Sequence, residues 1–187
     1  IRVHIESGYP LLYLLTYEEA RALGHLTLLA AALQPARNLY IWSLTEWFND
    51  NPEGSGYAKG DPIKALDTVI ETVEPAVFVF KDLHSFLNDR DDIVRRLRDA
   101  HHALRGAPKT LIILSPILRI PPELEKQATV IDYPLPDLAE VGEILDDAFD
   151  SHGGGSLSDM SAKESEALIR AFLGLTAEEI FAVARKV

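Results

Sequence analysis

Asp82 is the first residue whose position could support chemistry, because it closes a short apolar run. Five consecutive apolar residues, Ala76–Phe80, precede Lys81 and Asp82, and such a run predicts a strand buried on both faces. Ligands of open α/β sheets bind beyond the carboxyl ends of their strands, so Asp82 could hold a metal ion or act in catalysis. We favour the alternative that its carboxylate caps the following turn or pairs with Lys81.

A second buried strand is predicted at Leu11–Thr16, and the residues after it decide whether phosphate could bind there. A phosphate-binding loop needs glycines, so that backbone N–H groups can approach the ligand, and then a lysine and a serine or threonine. Here Tyr17, Glu18 and Glu19 follow, with no glycine before Gly24 and no lysine. Carboxylates at a helix start suit its dipole but repel a triphosphate. The sequence therefore predicts no competent ATP site, and no catalytic, cofactor-binding or metal-binding residue.

The other parts of an ATPase site are also incomplete. A working strand end carries one acid for Mg²⁺ and a second that polarises water, whereas this strand end offers only Asp82. Ser115 follows the predicted strand Thr110–Leu114 and could be a vestigial sensor, but we favour ordinary Ser-Pro turn chemistry. Arg119 and Lys126 precede the last strand without forming an arginine pair.

The same acidic residues allow a second interpretation. Glu18 and Glu19 after the first strand, with Asp82 and Ser115 after later ones, resemble the acidic pocket of a phosphoacceptor receiver domain. Such a pocket would bind Mg²⁺ through its carboxylates. It also requires a lysine at the end of the fifth strand, where this chain has Tyr133. The receiver interpretation therefore stays a minor alternative.

Basic residues cluster on and after one predicted helix, Asp89–Arg105. Aspartates are interleaved with them, which is typical of a solvated helix face. The alternative is a contact surface for an acidic neighbour, whose candidate residues are Arg95, Arg96, Arg98 and Arg105, with Lys109 nearby. The histidines do not favour zinc, because the adjacent pair His101 and His102 point in different directions on a helix.

The composition limits the class of protein. The 187 residues include 18 basic and 29 acidic side chains, with a net charge of −11, which argues against a general nucleic-acid or anionic-membrane binder. The absence of cysteine excludes disulfides and thiolate sites. Apolar runs are far shorter than the roughly 18 residues that span a bilayer, and the N-terminus has no signal-peptide pattern. We expect a soluble, cytoplasmic protein.

Strand and helix signals alternate along the chain. This pattern predicts an α/β fold with a five-stranded parallel sheet and helices on both faces. Thr16 is the predicted N-cap of the first long helix, and Pro121-Pro122 predicts a short helix over Arg119–Gln127.

The end of the chain predicts a separate helical part. A Gly-rich flexible joint, residues 151–158, divides an α/β core, residues 1–150, from a small lid, residues 151–187. The two lid helices are predicted to begin after the caps Ser161 and Thr176.

Several segments resemble the AAA+ ATPase module, among them the strand–turn–helix string VIDYPLPD at Val130–Asp137. The wider cues are YPLLYLLTYEEARAL, LYIWSLTEW, PAVFVFKDLHSFLND and LSPILRIPPELEKQATVIDYPLPD. They look like the N-terminal half of the AAA+ ATPase family conserved as an open reading frame in algal plastids and cyanobacteria, with other bacterial relatives. The resemblance covers nearly all of residues 1–150.

In that family the N-terminal half is a degenerate AAA+-like domain, and a second half carries the intact ATPase. The resemblance therefore implies that ATP and Mg²⁺ bind only in the second half. It implies a location in the cytoplasm or the plastid stroma. In this chain it leaves only candidates for vestigial site residues, which are Lys81, Asp82, Ser115 and Arg119. It also implies contacts with other subunits of the same protein or with a regulatory partner. We expect a non-catalytic assembly or contact domain; a residual nucleotide hydrolase and the receiver-like switch are the alternatives.

Overall fold

The computed structural model describes residues 1–46, 48, 60–151 and 156–185. These residues form five strands and seven α-helices. In chain order they are α1 (Arg2–Glu6), β1 (Leu11–Leu15), α2 (Glu19–Ala32), β2 (Asn38–Trp42), α3 (Pro62–Glu71), β3 (Ala76–Lys81), α4 (Asp91–Leu104), β4 (Lys109–Ser115), β5 (Thr129–Asp132), α5 (Leu138–Asp150), α6 (Ala162–Ala171) and α7 (Ala177–Ala184). None of these helices is long and apolar enough to cross a membrane.

The strands form one parallel sheet in the order β2-β3-β4-β1-β5. The predicted α/β fold with a five-stranded parallel sheet is confirmed. The pairing register places Lys81 beside Leu114 and Leu15 beside Ser115. The carboxyl ends of β3, β4 and β1 therefore lie side by side at one edge of the sheet.

Two apolar clusters cover the two faces of the sheet. On one face, Phe78 and Phe80 pack with the buried sides of α3 and α4. On the other, Val77 and Val79 pack with α1 and α2. Successive side chains of a strand alternate between faces, so the apolar run in β3 serves both clusters. Complete burial of a side chain such as Phe80 contributes roughly 1.5–3 kcal/mol.

The chain divides into two compact units after Tyr133. The second unit holds α5, α6 and α7 around a core of its own, formed by Val141, Leu145, Ala148, Leu157, Phe172, Ile180 and Ala184. The sequence places the boundary after α5 instead, at residue 150. The division falls earlier because the apolar side of α5 packs with α6 and α7. Residues 152–155 of the predicted joint lie outside the described residues.

The helix caps of the second unit agree with the sequence. Ser161 and Thr176 are the N-caps of α6 and α7, and each forms a capping box with a glutamate three residues later. Hydrogen bonds from these caps lower the pKa of Glu164 and of Glu179.

Two local predictions in the first unit are wrong. Thr16 does not cap α2: its Oγ1 accepts a hydrogen bond from the N–H of Glu18, 3.0 Å away, and Glu18 is itself the N-cap residue. The predicted helix Arg119–Gln127 is reduced to one 3₁₀ turn, Pro122–Leu124. Pro121 is extended, with ψ 152°, as expected for a residue that precedes proline.

Candidate functional site

A small cleft lies at the carboxyl ends of β1, β3 and β4. Its volume is about 160 Å³, and its lining residues are Thr16, Tyr17, Glu19, Asp82, Leu114, Ser115 and Pro116. The fold therefore brings Asp82 and Ser115 together, as the strand-end positions predict. Ligand pockets usually measure roughly 300–1,000 Å³, so the cleft is smaller than a typical pocket.

The connection from β1 to α2 consists of Thr16, Tyr17 and Glu18 alone. Glu18 is buried, and one of its carboxylate oxygens lies 2.6 Å from the Arg21 guanidinium in an ion pair whose side chains are 5% and 10% exposed. Arg21 also lies over the ring of Tyr133, 4.4 Å from the ring centroid. The charge of Arg21 is thus directed at a carboxylate and an aromatic ring of the same unit.

Lys81 pairs with Glu19, and the predicted pair with Asp82 is wrong. The Nζ atom of Lys81 lies 2.7 Å from Oε1 of Glu19, the first residue of α2. Lys81 lies on the same face of β3 as Val77 and Val79, the face that packs with α2. Strand alternation therefore sends Lys81 towards α2.

Asp82 does not cap the next turn with its carboxylate. Its backbone is left-handed, with φ 55° and ψ 24°, a conformation uncommon for residues other than glycine. Its backbone carbonyl accepts hydrogen bonds from the N–H and Oγ of Ser85, at 3.1 and 2.9 Å. The carboxylate is 60% exposed and lies 3.7 Å from Nδ1 of His84.

Ser115 is buried and hydrogen-bonded on two sides. Its Oγ lies 2.7 Å from Nδ1 of His84 and accepts a hydrogen bond from the N–H of Ile117 at 3.1 Å, a contact that fits the favoured turn interpretation. Asp82, His84 and Ser115 do not form a hydrolytic triad. A catalytic histidine uses one ring nitrogen for the nucleophile and the other for the acid, whereas both contacts here involve Nδ1.

His84 is the residue of this site that sequence reasoning missed. It lies in the 3₁₀ turn Leu83–Phe86 and is buried. The only feature of the sequence that points to His84 is its position two residues after the strand-end acid Asp82. The left-handed backbone at Asp82 directs His84 to Ser115, and no residue pattern in the sequence predicts that conformation.

The acidic receiver-like pocket is not assembled as the alternative requires. Glu18 is directed to Arg21 and does not line the cleft. Glu19 lines the cleft with Asp82, but its carboxylate pairs with Lys81. Among the residues that the structure describes, no three histidine, aspartate or glutamate side chains are grouped to hold a metal ion. Arg119 is exposed and does not line the cleft; its backbone N–H donates to the Tyr13 hydroxyl at 3.2 Å.

Within the part of the chain that the structure describes, the basic cluster separates into residues with an ion-pair partner and residues without one. Arg95 pairs with Asp99, and Arg96 pairs with Asp67 of α3. Lys109 does not belong to the surface cluster, because it is buried at the start of β4.

The remaining candidates of that cluster are Arg98 and Arg105. Arg105 is exposed at the end of α4. Arg98 is half-buried on α4, and its buried Nε has no hydrogen-bond partner among the described residues.

The sheet order, the helices on both faces and the cleft at the strand ends define an AAA-type α/β domain. Two solved structures share this fold. One is a chain of the E. coli MS115-1 HORMA:CdnC:Trip13 complex, with a TM-score of 0.54, covering 95% of this chain and 74% of that one. The other is the FIGL-1 AAA domain in complex with ADP, with a TM-score of 0.56, covering 95% and 59%. Both are 12% identical to this chain, so they show the fold alone.

The sequence comparisons give the family. A family model for the SpoVK-like AAA ATPase N-terminal domain matches residues 1–133, and the chain belongs to this family. Two relatives share the name "Uncharacterized AAA domain-containing protein ycf46": that of Guillardia theta is 34% identical and that of Trieres chinensis is 32% identical, each over 98% of this chain. The chain covers 35% and 36% of their lengths. The family resemblance drawn from the sequence is confirmed.

Proposed function

We propose that this chain is an AAA-type domain that binds no nucleotide and serves assembly or partner contact for an ATPase half elsewhere in a longer protein. The observation that carries the proposal is the connection from β1 to α2. Three residues stand where a phosphate-binding loop would begin, and the carboxylates of Glu18 and Glu19 are held there by Arg21 and Lys81.

Phosphate binding at this position has no chemical support. A triphosphate needs several backbone N–H groups, a lysine and a hydroxyl that holds Mg²⁺. In place of these the cleft presents Glu19 and Asp82, and its volume of about 160 Å³ is small. The Lys81 ammonium at the end of β3 already contacts Glu19.

The family supports the second part of the proposal. The ycf46 relatives are named for an AAA domain and are nearly three times as long as the segment that matches. A catalytic half would then lie in the remaining length of such a protein, and ATP and Mg²⁺ would bind there. We place the protein in the cytoplasm or the plastid stroma, with other subunits or a regulatory protein as its partners.

Isothermal titration tests the absence of a nucleotide site. Titrating this chain with Mg-ATP and with Mg-ADP will produce no saturable heat, which corresponds to a Kd weaker than about 1 mM. The longer protein, titrated under the same conditions, will bind Mg-ATP through its other half. Micromolar binding by this chain would support the residual-hydrolase alternative and overturn the proposal.

Deletion of the domain tests the assembly role. In the longer protein, removal of residues 1–133 will lower the number of subunits per oligomer, calculated from the light-scattering mass after size-exclusion chromatography divided by the mass of one truncated subunit. Retained binding of Mg-ATP by the truncated protein will show that its other half is folded. An unchanged number of subunits would contradict the assembly role and leave partner contact as the function of the domain.

A further inference from the structure

A groove beside α4 is separate from the strand-end cleft and has the dimensions of a binding site. Its volume is about 480 Å³, within the range of roughly 300–1,000 Å³ that is usual for ligand pockets. Apolar side chains form much of its wall, and the ones that matter here are Leu87, Val94, Ile120 and Pro121. Arg98 also lines it, and we call it the Arg98 groove.

The walls of the Arg98 groove are held by the fold itself. Val94 and Leu87 are buried members of the core cluster between the sheet and α3 and α4, and Ile120 packs against the same cluster. Pro121 and Pro122 have their φ angles fixed by their rings. A rigid groove loses little conformational entropy when it is occupied, which favours binding.

Arg98 carries a charge that the described part of the chain does not neutralise. Its neighbours on the helix at three and four positions are Val94, Arg95, His101 and His102, none of them acidic. The other arginines of α4 differ, because Arg95 has Asp99 and Arg96 has Asp67. The buried Nε of Arg98 has no hydrogen-bond partner among the described residues.

Two acidic side chains also line the groove. Asp91 is in the first turn of α4, and Glu123 is in the first turn of the 3₁₀ segment. Carboxylates at such helix starts are favoured by the adjacent backbone N–H groups. Arg98, in the third turn of α4, has no carboxylate within ion-pairing distance among the described residues, whereas Arg95, which also lines the groove, pairs with Asp99. Arg98 is therefore the cation of the groove that is available to pair with a ligand.

We propose that the Arg98 groove binds a short peptide segment of a partner protein, in which an acidic side chain pairs with Arg98 and an adjacent apolar side chain packs on Ile120 and Pro121. A guanidinium recognises a carboxylate through two parallel hydrogen bonds, and the apolar walls select the neighbouring residue. This inference rests on the partner-contact role proposed above. It identifies the chemical class of the partner segment and the residues that receive it.

A random hexapeptide array tests the proposal. The chain will capture peptides enriched in an aspartate or glutamate next to an apolar residue. The Arg98→Gln variant will bind the captured peptides about tenfold more weakly, because a hydrogen bond to a charged group is lost. Arg105→Gln removes the same charge at an exposed site outside the groove and will bind them as the unchanged chain does. Ile120→Ser will weaken capture of the same peptides by removing apolar contact.

Each other result contradicts the proposal. Capture without acidic enrichment, or equal capture by the Arg98→Gln and Arg105→Gln variants, excludes Arg98 as the recognition residue. A dimer of this chain that Arg98→Gln dissociates, with no peptide captured, would identify a second copy as the occupant instead. Thermal unfolding of each variant will exclude misfolding as the cause. Titration of the same samples with Mg-ATP separates the two proposals, since nucleotide binding would overturn the proposed function alone.

Discussion

Replacement of Lys109 with methionine will lower the free energy of unfolding of the first unit by about 3 kcal/mol. Lys109 is buried, and its Nζ donates hydrogen bonds to the carbonyl oxygens of Val69, Ile70 and Thr72, at 3.0, 3.1 and 2.7 Å. These carbonyls belong to the C-terminal end of α3, where helical carbonyls lack partners within the helix. One ammonium group therefore provides a donor for three carbonyls at the C-terminal end of α3.

The expected loss follows from what methionine leaves behind. Its side chain has nearly the same length and fills the same space, but it donates no hydrogen bond. Burial lowers the pKa of Lys109, so the charged form is costly there, and the three carbonyl contacts offset that cost. Without them, the carbonyl of Val69 remains buried and unsatisfied, at about 1–3 kcal/mol, and the part-buried carbonyls of Ile70 and Thr72 also lose a donor.

Urea unfolding followed by tryptophan fluorescence will measure the effect. Both tryptophans, Trp42 and Trp47, precede Tyr133 in the sequence, so the signal comes from the first unit. Lys64→Met is the matched control, because the Lys64 side chain is 56% exposed and lies 3.8 Å from Asp61. It should change stability by less than about 0.5 kcal/mol. A similarly small change for Lys109→Met would show that water replaces the lysine at the helix end.

The sequence predicts the sheet well because the strands are buried on both faces. Runs such as Ala76–Phe80 and Thr110–Leu114 have no polar face, and alternation with helices leaves a parallel sheet as the natural arrangement. The short helix α1 escapes prediction, since Arg2–Glu6 is too short to show a helical period. The proline pair before Glu123 indicates a helix start and yields only one 3₁₀ turn, although good helix formers follow it, and the chain enters β5 at Thr129.

The partners of individual side chains are harder to predict than the elements that carry them. The pair between Lys81 and Glu19 can be predicted from strand alternation, which places Lys81 on the face of the sheet that packs with α2. The contact between His84 and Ser115 depends on the left-handed backbone at Asp82, and no sequence pattern marks that conformation. Lys109 is similar: its charge indicates a surface residue, and only the packing of α3 beside β4 shows three carbonyls within its reach.

Replacement of Glu18 with glutamine will destabilise the first unit by about 3 kcal/mol, the loss typical of breaking a buried ion pair. Glutamine keeps the size of the side chain and removes the charge that faces Arg21 at 2.6 Å. Arg21 stays buried and no longer faces the carboxylate of Glu18. The exposed pair between Arg2 and Glu6, 3.6 Å apart, provides the control: Glu6→Gln should cost less than about 1 kcal/mol.

A double-mutant cycle separates the ion pair from the packing. With Arg21→Met in place, Glu18→Gln should cost about 2 kcal/mol less than it does alone, because the charge it would leave behind is already gone. Urea unfolding of the four proteins, followed by tryptophan fluorescence, measures this coupling. If the destabilisations caused by Glu18→Gln and Arg21→Met are additive, the ion pair between Glu18 and Arg21 contributes no net stability and lost packing alone accounts for the change.

The same variant distinguishes two reasons for the missing nucleotide site. If the carboxylate alone excluded phosphate, Glu18→Gln would remove the charge repulsion and Mg-ATP would bind. We expect no binding, because Thr16, Tyr17 and Glu18 form a connection without glycine, and their side chains prevent the close backbone approach that a phosphate requires. Calorimetric titration of the variant decides between charge and backbone. Saturable binding would show that one acidic side chain, rather than the shortened loop, separates this domain from a nucleotide-binding one.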